Sequence, residues 1–247
     1  MRPEKAYKNM EFLNSREARI IRIMCEYIEP EKRFKHYKIK HTVVFFGSAR
    51  TQPDDPLTMQ YYHDACKLSY LLAQYGKELE AVHDGFVICT GGGPGIMEAA
   101  NKGANEAGVY SIGLNISLPF EQIPNQYISQ ELNFEFHYFF MRKLWFLYHA
   151  KAIVVFPGGY GTLDELFETL TLVQTNKLQK QDIPIVLYDE NYWNKLINFQ
   201  MLIDYGYIDK KDFDLIHFCN SPEEGIEYLK PRLKRLIEKV NHTIEEQ

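Results

Sequence analysis

Short apolar runs recur along this chain, and between most of them lies enough sequence for a helix. They fall at Thr42–Phe46, Phe86–Thr90, Tyr110–Leu114, Leu132–Phe136, Ala152–Phe156, Ile183–Leu187 and Leu215–Phe218. Several are near-continuous rather than alternating, as in strands of a parallel sheet covered by helices on both faces. Helix-spaced apolar positions fill the intervals 58–80, 94–107, 139–149, 161–177, 191–204 and 221–239. This alternation predicts a Rossmann-like, doubly wound α/β fold with a mostly parallel sheet. Such sheets bind ligands at the carboxyl ends of their strands, so chemistry is sought in the loops that follow them.

The segment before the first strand has a different pattern. Residues 9–29 predict a helix with Phe12, Ala18, Ile21, Met24, Cys25 and Ile28 as apolar positions. Pro30 and the charged stretch Glu31–Lys40 are read as its end. The expected organisation is an N-terminal helical extension over 1–40, packed outside the fold or on a partner subunit, and one nucleotide-binding catalytic domain over 41–247. A chain of 247 residues suits one large α/β domain better than two.

Charge and composition narrow the function classes. A net charge of −5 argues against a nucleic-acid or membrane-surface binder, yet it permits a phosphorylated small ligand held by loop amides and one or two cations. No transmembrane-length run or signal-peptide pattern is present, and Cys25, Cys66, Cys89 and Cys219 form no CxxC pair, so a cytoplasmic protein with reduced thiols is expected. The histidines, including His137 and His149, show no metal-ligand spacing, and neither metal nor cofactor is expected.

Three glycine loops follow strands. Gly47-Ser48-Ala49-Arg50 offers a tight turn, a hydroxyl donor and a cation, but Gly-Ser turns are common. Gly91-Gly92-Gly93-Pro94-Gly95-Ile96-Met97-Glu98 lets the backbone approach a ligand and places proline in a first helical turn. It is neither a GxGxxG fingerprint nor a Walker loop. Glu98 is either a functional carboxylate or an acid favoured by the helix dipole. The third loop, Pro157-Gly158-Gly159-Tyr160-Gly161-Thr162-Leu163-Asp164-Glu165, joins a buried strand to a helix, so that backbone N–H groups converge on an anion site with a carboxylate beside it. Thr162, Asp164 and Glu165 could equally serve as cap and dipole partners. Glu168 lies on the same helix face as Glu165. The pair Arg142-Lys143 interrupts an aromatic helix; it either faces solvent or sends one cation into the site.

Taken in order, these loops and the Arg-Lys pair resemble the LOG (Lonely Guy) family, whose members are often mislabelled as lysine decarboxylases. The resemblance runs from about Val43 to Lys230. It implies a phosphoribohydrolase that cleaves the N-glycosidic bond of a nucleoside 5′-monophosphate, cytokinin riboside monophosphate or AMP, to free base and ribose 5-phosphate. It places the catalytic pair on Arg142 and Glu165. Its substrate-binding positions fall on Gly91, Gly92, Gly93, Gly95, Lys143, Gly158, Gly159, Tyr160, Gly161, Thr162, Asp164 and Thr171, to which the reading of the loops adds Gly47, Ser48, Met97 and Glu98. It also implies a homodimer or higher homo-oligomer. Phe140 departs from the histidine usual in plant members, and no lysine sits in a pyridoxal phosphate context.

The chemistry is coherent with those residues. Cleavage of a ribosyl bond builds oxocarbenium-like charge, which an ionised carboxylate stabilises. Glu165, placed in the first helical turn, is expected to stay ionised under the helix dipole and to serve as base or electrostatic stabiliser. The proton donor to the departing base is left open among Asp164, Glu98 and water. A competing reading is a nucleotide sensor or carrier without turnover, since relatives that bind molybdenum cofactor resemble these loops. An NAD- or FAD-dependent enzyme ranks last, for want of a ribose-binding acid after the second or third strand.

Overall fold

The computed structural model describes residues 3–81, 84–118, 123–177 and 183–245, the last helix with side chains to residue 238. In chain order the elements are α1 (Met10–Asn14), α2 (Arg19–His36), β1 (Thr42–Phe46), α3 (Met59–Glu80), β2 (Val87–Thr90), α4 (Ile96–Glu106) and β3 (Ser111–Ile116). There follow β4 (Asn133–Phe136), α5 (Phe139–Tyr148), β5 (Ala150–Val155), α6 (Tyr160–Gln174), β6 (Ile185–Tyr188), α7 (Glu190–Leu196), α8 (Phe199–Asp204), α9 (Lys210–Phe213), β7 (Ile216–Cys219) and α10 (Pro222–Glu245). Every expected strand forms, with each end within two residues of the apolar run that announced it.

The strands make one sheet in the order β4-β3-β2-β1-β5-β6-β7, and every neighbouring pair is parallel. The fold is thus the doubly wound α/β class. The chain grows outward from β1 to β4, then returns to the far side of β1 for β5, β6 and β7. The direction of growth reverses between β1 and β5, which opens a crevice at the carboxyl ends of those strands. The pleat divides the core in two. Val43 and Phe45 of β1 join Ala152 and Val154 of β5 in a core shared with Leu68, Leu72, Ile96 and Leu233 of α3, α4 and α10. Val44, Phe46, Ile153 and Val155 point the other way, into a core with Trp145, Phe146 and Leu166 of α5 and α6. Each of these side chains larger than alanine contributes roughly 2 kcal/mol on burial.

The N-terminal region departs from its sequence pattern. The first helix breaks after Asn14, and α2 then runs through Pro30 to His36, taking in most of the charged stretch. A proline inside a helix leaves the carbonyl four residues back without its donor. That carbonyl belongs to Glu26, and the indole Nε1 of fully buried Trp145 donates to it at 2.9 Å. The Glu26 carboxylate accepts from the backbone N–H of His137 and Tyr138 at 2.8 and 3.2 Å, just ahead of α5. Arg33 donates to the carbonyls of Glu131 and Asn133 and lies 4.0 Å from the Phe134 ring centre, so α2 covers the exposed edge of β4. The helix expected over 191–204 is two helices, because Asn198 accepts from Met201 N–H and starts α8 afresh.

At the amino end of β1, His41 is 5% exposed and neither ring nitrogen has a hydrogen-bond partner among the described residues. Burial, reinforced by Lys151 and opposed by Asp84, lowers its imidazole to about 4. Between that value and the ordinary 6.5 the unfolded chain binds a proton the native chain refuses, so this contribution is intact above pH 6.5 and lost as pH falls toward 4. The wild-type protein should therefore lose roughly 3 kcal/mol between pH 7 and pH 4 relative to His41→Leu. Urea unfolding of both proteins across that range measures it; parallel stability curves would refute it.

Candidate functional site

The loops after β1, β2 and β5 meet around a cavity of about 740 Å³ at the reversal point of the sheet. Among the sequence-predicted residues, Gly47, Ser48, Gly91, Met97, Arg142, Gly158, Gly159, Tyr160, Gly161, Thr162 and Glu165 stand in its wall. The α6 helix begins at Tyr160 with Gly159 as its N-cap, which has no side chain to cap it, and among the described residues no side-chain cap bond is made to its first turn. Those N–H groups and the positive end of the α6 dipole therefore lie in the cavity wall, where an anion can take them. Gly158 is required there by packing, since a Cβ on it would come within 2.1 Å of Thr162 Oγ1 and 3.0 Å of Ser48 N.

The second loop is used differently. Gly91 faces the cavity, but Gly92 and Gly93 turn their carbonyls to Asn125 Nδ2, at 3.1 and 3.0 Å. Gly95 has φ +70 and a Cβ there would stand 2.3 Å from the Ser48 carbonyl oxygen, which instead accepts the Ile96 N–H at 3.0 Å. The start of α4 thus buttresses the first loop. Glu98 accepts from Tyr62 Oη at 2.9 Å, between α3 and α4, and does not reach the cavity.

Among the described residues, Glu165 is the one carboxylate in the cavity wall, where Arg50 and Arg142 are the cations. Arg142 Nη2 is 3.5 Å from Glu165 Oε1, and its guanidinium lies between the rings of Phe139 and Phe146, with centres at 5.2 and 5.4 Å. Lys143, the next residue along α5, turns away from the cavity. Its Nζ is 2.8 Å from Asp164 Oδ2, bonds Glu168, and reaches Glu165 Oε2 only at 3.9 Å. Asp164, Glu168 and Thr171 border a shallow groove on the outer side of α6. The sequence motif therefore separates in space into an inner pair, Arg142 and Glu165, and an outer cluster around Lys143.

Glu165 corrects the expectation of a dipole-held, permanently ionised acid. Because α6 starts at Tyr160, Glu165 sits in its second turn, beyond the range in which the dipole acts strongly. Burial raises its carboxyl to about 7, against the opposing pull of Lys143 and Arg142. Burial also lowers the Arg142 guanidinium, countered by Glu165 and Asp164. For Lys143, burial is outweighed by hydrogen bonds to Asp164 and Glu168, and its ammonium is held above its usual value.

Several wall residues carried no motif. Ile116, Leu118, Phe139 and Phe146 give the cavity an apolar side, and Tyr192 and Leu196 approach from α7. Arg50 was visible only as one cation in an ordinary turn. Nothing in the local sequence separated Tyr192 from other core aromatics.

A helix start, a buried acid and an arginine meet at the reversal point of a parallel sheet, the place where proteins of the doubly wound class bind ligands. The sequence pattern of the family described as "possible lysine decarboxylase" matches residues 97–229, and the chain belongs to that family. It is 27% identical over 219 residues to a rice (Oryza sativa subsp. japonica) protein named as a probable cytokinin riboside 5′-monophosphate phosphoribohydrolase, covering 85% of this chain and 81% of that one. A cytokinin riboside 5′-monophosphate phosphoribohydrolase of Arabidopsis thaliana is 26% identical over 199 residues, 78% of this chain and 82% of that one. Among solved structures, the molybdenum cofactor binding protein of Rippkaea orientalis shares the fold with a TM-score of 0.54 at 21% identity, covering 78% of this chain and 96% of that one. The molybdenum cofactor carrier protein of Chlamydomonas reinhardtii aligns with a TM-score of 0.53 at 21% identity, over 79% and 99% of the two chains. Among the described residues, no lysine lines the cavity. No helix among the described residues is long and apolar enough to cross a membrane.

Because Lys143 is the strongest charge holding the Glu165 carboxyl down, Lys143→Met should move its titration midpoint from about 7 to a higher value. Carboxyl-carbon NMR of labelled glutamate reads this directly. A midpoint below 5 in the wild-type protein would show that burial does not dominate.

Proposed function

We propose that this protein hydrolyses the N-glycosidic bond of nucleoside 5′-monophosphates, releasing the free base and ribose 5-phosphate in the cytoplasm. The observation that carries this reading is the placement of Glu165, the sole wall carboxylate among the described residues, 3.5 Å from Arg142 and beside the uncapped start of α6. The phosphate takes the amides of Gly159 to Thr162, and the apolar side formed by Met97, Ile116, Leu118 and Phe146 receives the base. The names of the plant relatives support the same activity.

In this reading the base departs from C1′ as positive charge develops on the ribose, and ionised Glu165 stabilises that charge. Water adds to C1′ and gives its proton to Glu165. A carboxylate whose affinity for a proton is balanced near pH 7 can return that proton to the departing base, so one group serves both steps. This fills the donor role left open by the sequence: Asp164 lies in the outer cluster and Glu98 is turned toward α3. Arg142 holds the phosphate or a ribose hydroxyl and keeps Glu165 oriented.

Glu165→Gln should lower turnover by about a hundredfold or more while nucleotide affinity changes only a few-fold. The wild-type kcat should rise about tenfold per pH unit below pH 7 and level off above it, since the ionised form starts the reaction. The deciding assay is chromatography of AMP, GMP, CMP and isopentenyladenosine monophosphate reactions, scored for base and ribose 5-phosphate. Tight binding without any release would transfer the protein to the class of nucleotide sensors and carriers.

The reading includes self-association. On α2, Ile20, Ile21, Met24 and Ile28 face outward, and on α5 so do Phe140, Leu144 and Tyr148. Trp145 links the two stripes, with ring centres 5.4 Å from Tyr27 and 5.3 Å from Tyr148. The exposed apolar area is on the order of 700 Å², more than monomers usually leave open and close to one side of a standard interface. A second copy of this chain, related by a two-fold axis, is the occupant that a self-complementary helical face fits. Light scattering after gel filtration should find a dimer or larger assembly, and Met24→Glu with Ile28→Glu should yield monomer. A monomeric wild-type chain would end this part of the reading.

A further inference from the structure

We propose that Tyr192 and Asp189 are positioning residues for the glycine loop: Asp189 fixes the start of α7, and the Tyr192 hydroxyl holds the Gly158 peptide so that the α6 amides face the phosphate. The inference rests on the reading above that this loop binds a phosphate. It begins from a backbone angle. Asp189 follows β6 directly and has φ +69, a left-handed conformation that is uncommon outside glycine, though aspartate and asparagine adopt it more readily than other residues.

The residue is held from three sides. Asp189 N–H donates to the Cys219 carbonyl at 2.8 Å, which ties the residue to β7. Its Oδ1 accepts the Tyr192 N–H at 3.1 Å, and its Oδ2 accepts the hydroxyl of Tyr61, from α3, at 2.5 Å. Tyr192 is thereby fixed at its backbone, and its hydroxyl crosses to the β5 loop and donates to the Gly158 carbonyl at 2.8 Å. The α7 helix has its own anchor in Trp193, fully buried with Nε1 donating to the Tyr188 carbonyl, so it does not need this bond.

The loop does need it. Ser48 N–H holds the Pro157 carbonyl at 3.1 Å, and Tyr192 holds the next carbonyl along. Beyond that point packing ends: a Cβ on Gly159 or Gly161 would meet nothing within 4 Å, and Tyr160 between them is 94% exposed. Among the described residues, the Tyr192 bond is therefore the last side-chain tether before the amides that would take the phosphate. Gly159 and Gly161 have no side chain with which to fix their own peptides, and a Gly158 peptide held in advance sets the direction of the first α6 amides before a ligand arrives.

The test uses Glu165→Gln as parent, so that AMP is bound but not consumed, and titrates AMP and adenosine by calorimetry. Tyr192→Phe keeps the ring and removes only the hydroxyl. It should weaken AMP roughly fivefold, the worth of one hydrogen bond, with adenosine affinity and melting temperature unchanged. Asp189→Ala should reproduce that loss and add nothing to Tyr192→Phe, whereas Asp189→Asn, which keeps the Oδ1 acceptor and tolerates the left-handed backbone, should restore most of the affinity. Unchanged AMP affinity in Tyr192→Phe, or an equal loss for AMP and adenosine, would overturn the positioning role. A parent that binds AMP no better than adenosine would defeat the phosphate reading itself, and that result appears before Tyr192 is touched.

Discussion

After β4 the chain has used up one side of the sheet and must return past β1 to place β5, so the loops that leave β1 and β5 diverge to opposite faces. The crevice between them is set by topology before any side chain is chosen. What fills it depends on three helices starting or passing there. The first turn of α6 brings unsatisfied amides, the start of α4 braces the first loop through Ser48, and α5 passes Arg142 across the opening. Remove the reversal and these parts would lie on separate edges of the sheet.

Within the crevice, one carboxylate is subject to two large and opposed effects. Taking Glu165 out of water disfavours its charge, and two nearby cations favour it; a value of about 7 means that desolvation prevails by roughly 3 kcal/mol over the whole balance. The reason lies in how the cations are shared. Lys143 is engaged by Asp164 and Glu168 and stands 3.9 Å from Glu165, and Arg142 meets it at 3.5 Å rather than through a close two-pronged bond. A tighter pair would have fixed Glu165 as a permanent anion, able to stabilise charge but too weak a base to pass a proton on. The loose geometry leaves it able to do both.

Much of this was written in local sequence. Strands announced themselves because burial on both faces leaves only apolar residues, and the glycine loops because close approach admits no Cβ. Arg142 and Glu165 stood inside recognisable motifs. What the sequence concealed depends on distant partners. Pro30 reads as a helix end unless Trp145, 115 positions later, is known to satisfy the carbonyl it frees. Glu165 reads as a first-turn acid unless the helix is known to start at Tyr160. That the carbonyls of Gly92 and Gly93 are taken by Asn125 is equally invisible in the loop itself. Tyr192 and Asp189 lie outside every motif, since their roles come from a hydroxyl and a backbone angle that pattern does not encode.

The N-terminal helix belongs to the same chain of cause. Through Glu26, α2 caps the start of α5 with its carboxylate and grips the middle of α5 through the Trp145 indole. Three residues before Trp145 stands Arg142, on the side of α5 that faces the cavity, while Phe140, Leu144 and Tyr148 lie on the side that faces away. A helix held at its cap and its centre moves as a unit, so a displacement of α2 would carry Arg142 with it. The α2 segment is therefore joined by three hydrogen bonds to the start and middle of the helix that carries Arg142.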